Sequence, residues 1–96
     1  MTPEAKVIEK IKKWVRVRGG KVLKLHQTAM SEIGTPDLLI SLKGTGIMLV
    51  EVKQKGETPA GIQLQRIKEW NEAGGISFWC DSLEGFIRQI VCPQKS

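Results

Sequence analysis

The chain is poor in the residues that build metal cages and disulfide frameworks. Its 96 residues include two cysteines and one histidine. Cys80 and Cys92 lie twelve positions apart with no neighbouring Cys or His, a spacing that fits neither a zinc site nor a disulfide framework. Both read as small core residues. His26 has no second ligand type beside it, which argues for a structural or phosphate-adjacent role rather than a base. Long apolar runs are missing too. Nothing approaches the ~20 residues of a membrane span. The opening MTPEAKVIEKIKKW has no uninterrupted apolar stretch of the signal-peptide kind, so a cytosolic protein is expected. Linkers, internal repeats and low-complexity segments are also absent, and one domain over 1–96 is expected, near the lower limit for an adequate core.

Positive charge is abundant. The net charge is +5, and eight of the fifteen Lys and Arg fall within the first 24 residues. Such a balance favours a polyanionic partner bound in a salt-dependent way. Lys10, Lys13, Arg16 and Lys55 are the candidates for phosphate contacts, against the plainer reading of a solvated helix face.

Element signals follow in order. Pro3 to Arg18 reads as a helix after the potential cap Thr2, with Val7, Ile8, Ile11, Trp14 and Val15 on one stripe and Gly19-Gly20 ending it. Glu4 falls within that stripe and Glu9 roughly opposite. Lys21 to His26 reads as an edge strand, and Gln27 to Thr35 as a loop in which Gly34 permits a tight approach before Asp37. Asp37 to Lys43 and Ile47 to Gln54 read as a hairpin about Gly44-Thr45-Gly46. A three-residue loop would pair Lys43 with Ile47, set Asp37 opposite Lys53 and Leu39 opposite Glu51, and give Gly46 a left-handed conformation. Asp37, Glu51 and Lys53 then share one face. A two-residue loop would put Asp37 on the wrong side.

After the hairpin, Thr58-Pro59 reads as the entry to a helix over about 60–73 that places Gln63, Ile67, Trp70 and Gly74 on one face, with Gln65 turned to the surface. Ile76 to Cys80 is a strand expected to pair parallel to the Glu51 strand. Asp81-Ser82 caps a last helix to about Val91, with Leu83, Phe86, Ile87 and Ile90 buried. Trp79 and Phe86 fit core or dimer contacts better than base stacking. The fold class is therefore α/β: an α-β-β-β-α-β-α core with a mixed four-stranded sheet flanked by helices.

Two carboxylates and an ammonium converging from adjacent strands have a chemistry of their own. Oxygen ligands from Asp37 and Glu51, with the Val52 carbonyl as a third, suit Mg²⁺ or Mn²⁺, which keep waters and accept phosphate oxygens. Such an ion lowers the pKa of bound water and neutralises charge on a phosphodiester. Lys53 beside it would act as base, water-orienting group or electrostatic stabiliser, three roles the sequence leaves open.

In order, Glu4, then Gly34-Thr35-Pro36-Asp37-Leu38, Glu51-Val52-Lys53, Thr58-Pro59, Gln63 and Ala73-Gly74-Gly75 resemble the VRR-NUC branch of the PD-(D/E)XK nucleases over about residues 4–80. The resemblance implies a restriction-endonuclease-like fold and a metal-dependent DNA endonuclease acting as a homodimer on branched DNA such as Holliday junctions. Stand-alone members occur in bacteriophages, which would place the protein in host cytoplasm. It also implies that Glu4, with Glu9 as the weaker alternative, is a third acidic group, and that Gln63 holds a water or phosphate near the metal. For Glu4 the plainer role is stabilising the helix N-terminus; for Gln63 it is capping or a buried amide. A non-catalytic basic DNA-binding module of the same fold is the competing class. A restriction component is a third, for which so short a chain leaves little room to read bases.

Overall fold

A computed structural model describes residues 1–26 and 32–91. The expected loop over 27–35 therefore lies partly outside the described residues, and Cys92 lies wholly outside them. The elements run α1 (Pro3–Val17), β1 (Lys21–Lys24), β2 (Leu38–Leu42), β3 (Gly46–Val52), α2 (Gly61–Glu72), β4 (Ser77–Cys80) and α3 (Leu83–Val91). The sheet order is β1-β2-β3-β4, antiparallel for the first two pairings and parallel between β3 and β4. This is the mixed four-stranded α/β architecture expected from the sequence.

Each helix forms for a local reason. Thr2 accepts the Ala5 N–H at 3.1 Å and Pro3 opens the first turn of α1, where its missing N–H costs nothing. Ile8, Ile11 and Val15 are its buried stripe. On α3, Ser82 Oγ accepts the Gly85 N–H at 2.9 Å, and Phe86 is fully buried. These side chains meet Val22, Leu38, Ile40, Met48, Val50, Val52 and Cys80 in one core. Alternation along the strands assigns that core to the face carrying the even-numbered residues. Phe86 meets Trp14 edge-on at 5.9 Å and Phe78 in a tilted contact at 6.0 Å. Trp79 points to the other face and is half-buried. Burial pushes the Cys80 thiol up to about 12, so at neutral pH it is an inert packing group.

The hairpin register differs from expectation by two residues. Leu42 pairs with Gly46 and Leu38 with Val50, so the loop is Lys43 to Thr45. Thr45 explains this: both its N–H and its hydroxyl take the Leu42 carbonyl at 3.0 Å, closing the turn one residue early. Gly44 supplies the left-handed position inside that turn (φ 95°), and Gly46, also left-handed (φ 80°), begins β3. Continued outward, the register sets Asp37 beside Glu51 rather than Lys53. A shift of two keeps every side chain on its face, so the predicted clustering is unaffected.

The entry to α2 also differs. Thr58 is exposed and Pro59 buried ahead of the helix, and the cap position belongs to Ala60, which has no polar side chain. Gln63 compensates by turning its Oε1 back to accept the Ala60 N–H at 2.8 Å.

Candidate active site

The site lies where β2 begins and β3 ends. Continued two positions beyond Leu38 and Val50, the register would put Pro36 opposite Val52. A proline has no N–H to donate to the Val52 carbonyl. The Val52 N–H is instead taken by Asp37 Oδ2 at 3.1 Å. In a strand a residue's N–H and C=O face the same edge, so the Val52 carbonyl is turned towards Asp37 with no proline donor to occupy it.

Glu51 is the most constrained group. It is 2% exposed at the end of an apolar strand, and its Oε2 accepts from Gln63 Nε2 at 3.2 Å and lies 3.8 Å from Lys53 Nζ. Its Oε1 is buried with no partner among the described residues. Desolvation first, then the charge and hydrogen bonding of the adjoining Asp37 carboxylate, push its pKa up to about 8, and Lys53 offsets only part of this. Without a cation the pair therefore favours keeping a proton.

An orphaned buried carboxylate oxygen, a second carboxylate beside it and a strand-end carbonyl on the same edge as the Val52 N–H that Asp37 binds offer an all-oxygen donor set. That set fits a hard divalent cation that retains waters. Among the described residues no group of three or more His, Cys, Asp or Glu makes a closed cage. The donors present are two carboxylates and a carbonyl, as Mg²⁺ or Mn²⁺ accepts. Burial of a carboxyl that would otherwise waste a hydrogen-bonding oxygen is a cost expected where a ligand is to be held.

Glu4 is drawn in as well. Its pKa is raised, first by desolvation and then by Asp37, while Lys53 and Lys24 pull it down. That electrostatic company puts it at the site's edge. Glu9 is exposed farther along α1, so the geometry favours Glu4. Lys10, Lys13, Arg16 and Lys55 are all exposed. His26 is exposed just past β1. Two neighbours went unread in the sequence. Lys24 lies in register with Leu38, next to Asp37, which a correct β1 register would have revealed. Arg66 donates from Nε to the Ile33 carbonyl at 2.9 Å, a contact across 33 residues that no local pattern signals.

No protein-family model matches the sequence, and no curated protein matches it. Solved structures do. One described as a VRR_NUC domain shares 29% identity and superposes with a TM-score of 0.82 over 98% of this chain and 100% of that one. The chain shares the fold of a VRR-NUC domain. A second structure, described as a VRR_NUC domain protein, covers 95% of this chain and 89% of its own length with a TM-score of 0.73; at 16% identity it speaks for the fold alone. In this VRR-NUC-like fold the Asp37–Glu51 pair sits where β2 begins and β3 ends, contacted from α2 by Gln63 and felt electrostatically by Glu4 of α1.

Proposed function

We propose that the chain is a metal-dependent DNA endonuclease, structure-selective for branched DNA such as Holliday junctions and working as a homodimer. The observation that carries this is the buried Glu51 beside the partly buried Asp37, with one unpartnered Glu51 carboxylate oxygen and Lys53 at 3.8 Å. Asp37, Glu51 and the Val52 carbonyl would hold Mg²⁺ or Mn²⁺, which supplies an activated water and a charge to set against the phosphodiester. Lys53, half-buried and therefore weakly screened, stabilises negative charge developing on the phosphate and orients the attacking water. Gln63 keeps the Glu51 carboxylate in place through its Nε2 while its Oε1 is committed to Ala60. Glu4 sets acidity at the rim together with Lys24 and Lys53. The exposed Lys10, Lys13, Arg16 and Lys55 offer phosphate contacts, positioning DNA without reading sequence.

The test is Mg²⁺- or Mn²⁺-dependent cleavage of a four-way junction compared with a linear duplex, by wild type and Asp37→Ala. Wild type should cut the junction in preference, and Asp37→Ala should bind it and leave it intact. Binding without cutting by wild type would leave a DNA-binding module of nuclease-like fold. Sequence-specific cutting of linear duplex would point to a restriction component.

A further inference from the structure

Helix α2 touches the suppliers of both carboxylates with one face. Arg66 lies four residues after Ile62 and three after Gln63, and so neighbours both on the helix surface. Gln63 meets Glu51 directly. Ile62 and Arg66 meet the segment that delivers Asp37. Gly34, with φ 86°, lies so close to α2 that a Cβ there would stand 3.0 Å from the Ile62 carbonyl oxygen. Arg66 Nε binds the Ile33 carbonyl at 2.9 Å and pairs with Glu32 at 3.2 Å. Its Nη1 binds both oxygens of Glu69, at 3.0 and 3.3 Å. Glu69 is held in turn by Gln65 at 3.2 Å, and these hydrogen bonds keep its carboxyl below the usual range. The Glu32 carbonyl accepts the Thr35 N–H at 3.2 Å and its hydroxyl at 2.6 Å, after which the buried Pro36 leads straight into Asp37.

We infer that Arg66 is a positioning residue: it pins residues 32–36 to α2 so that one rigid helix sets the separation of Asp37 and Glu51. The inference rests on the proposed metal-dependent nuclease. The side chain is specific to the task. A guanidinium offers donors in a fixed planar fork, so Nε can serve a main-chain carbonyl while Nη1 is tied to Glu69. A lysine has three donors, but on one freely rotating nitrogen, and so lacks the fixed fork that holds both directions. Arg66 touches neither carboxylate, and its effect on them runs through the chain from Ile33 to Asp37. Pinning also explains Gly34, because the segment must lie flat on the helix for Arg66 to reach it.

The experiment compares wild type, Arg66→Ala, Arg66→Lys and the core variant Val15→Ala in full-length protein. Urea unfolding measures stability, calorimetry measures Mn²⁺ affinity, and hydrogen exchange follows the Thr35 amide. Arg66→Ala should weaken Mn²⁺ binding about tenfold or more, as loss of an outer support of a metal site does, and should speed Thr35 exchange. Cleavage at saturating Mn²⁺ should stay within about threefold of wild type, because the ion restores the geometry it needs. Arg66→Lys should recover part of the affinity. Val15→Ala, destabilised throughout, should keep wild-type affinity. Unchanged Mn²⁺ binding in Arg66→Ala, or an equal loss in Val15→Ala, would overturn the inference. If wild type takes up no Mn²⁺, the nuclease reading fails instead; unchanged Thr35 exchange in Arg66→Ala would then sink the positioning role separately.

Discussion

At the scale of single residues, Glu51 carries a linkage between protons, metal and stability. Its pKa rises in the fold from the usual 4.5 to about 8. A raised pKa means that the folded state binds the proton more tightly than the unfolded one. The associated stability is therefore complete below pH 4.5 and lost as pH climbs to about 8. At about 1.4 kcal/mol per unit the loss amounts to a few kcal/mol. In EDTA, wild type should lose stability between pH 5 and 8 relative to Glu51→Gln, whose neutral amide mimics the protonated form. Mg²⁺ or Mn²⁺ should return the lost stability at pH 8 and do little at pH 5, as read by thermal melts at both pH values. A metal-induced rise in melting temperature that is the same at pH 5 and pH 8 would be inconsistent with Glu51 as the group displaced. Gln63 gives a second residue-scale prediction, because its two roles separate chemically. Gln63→Glu retains an acceptor for the Ala60 N–H but loses the donor to Glu51 and adds a third acid there. Cleavage should fall at least about tenfold while stability at pH 7 changes by no more than about 1 kcal/mol, the scale of one cap. If activity and stability fall together, Gln63 is a cap and nothing more.

Among whole elements, α1 presents its basic line to solvent, with Lys10, Lys13 and Arg16 each three residues from the next. Each phosphate contact contributes about 0.9 to the slope of log affinity against log salt on duplex DNA. Replacing all three with alanine should flatten that slope by about 2 to 3 if each meets a phosphate, with cleavage at low salt largely retained. An unchanged slope would move the DNA elsewhere, with Lys24 and Lys55 next in line. The elements also show why the sequence was readable in some places and opaque in others. The stripe of α1 and the apolar runs of β2 and β3 are periodic, so their burial and the shared face of Asp37 and Glu51 followed from spacing alone. The hairpin register turned on the Thr45 hydroxyl and N–H both choosing Leu42, a competition between near-equal turns that composition does not rank. Only parity protected the site reading from that error. The cap of α2 was misplaced because Gln63 reaches back to a residue that cannot cap itself. Arg66 stayed hidden because its partner is distant in sequence. What remained illegible was contact between elements, where the energy depends on positions that periodicity does not encode.

For the molecule as a whole, the two faces of the sheet are unequal. One is sealed by α1 and α3 around Phe86, Ile11 and Val15. The other carries Asp37, Glu51 and Lys53, and the helix packed there, α2, rests on β4 and buries none of its residues fully. Leu23 stays 53% exposed and Ile47 66% exposed on the same face, with Leu39 and Leu49 half-buried between them. Strands with an apolar row normally have a layer over it. A second copy of the chain would provide one and, through a two-fold axis, bring two carboxylate sites together for paired cuts across a junction. Light scattering should then give twice the 10.7 kDa of the single chain. Leu23→Lys with Ile47→Lys should give a folded monomer, since both side chains are exposed and absent from the core. That variant should keep Mn²⁺ affinity, which belongs to one chain, and lose paired cutting, which needs two. A wild-type monomer at high concentration would end the two-fold argument while leaving Asp37, Glu51 and their metal chemistry in place. A lysine pair that leaves the dimer intact would instead move its interface to another exposed apolar side chain, such as Leu64 on α2.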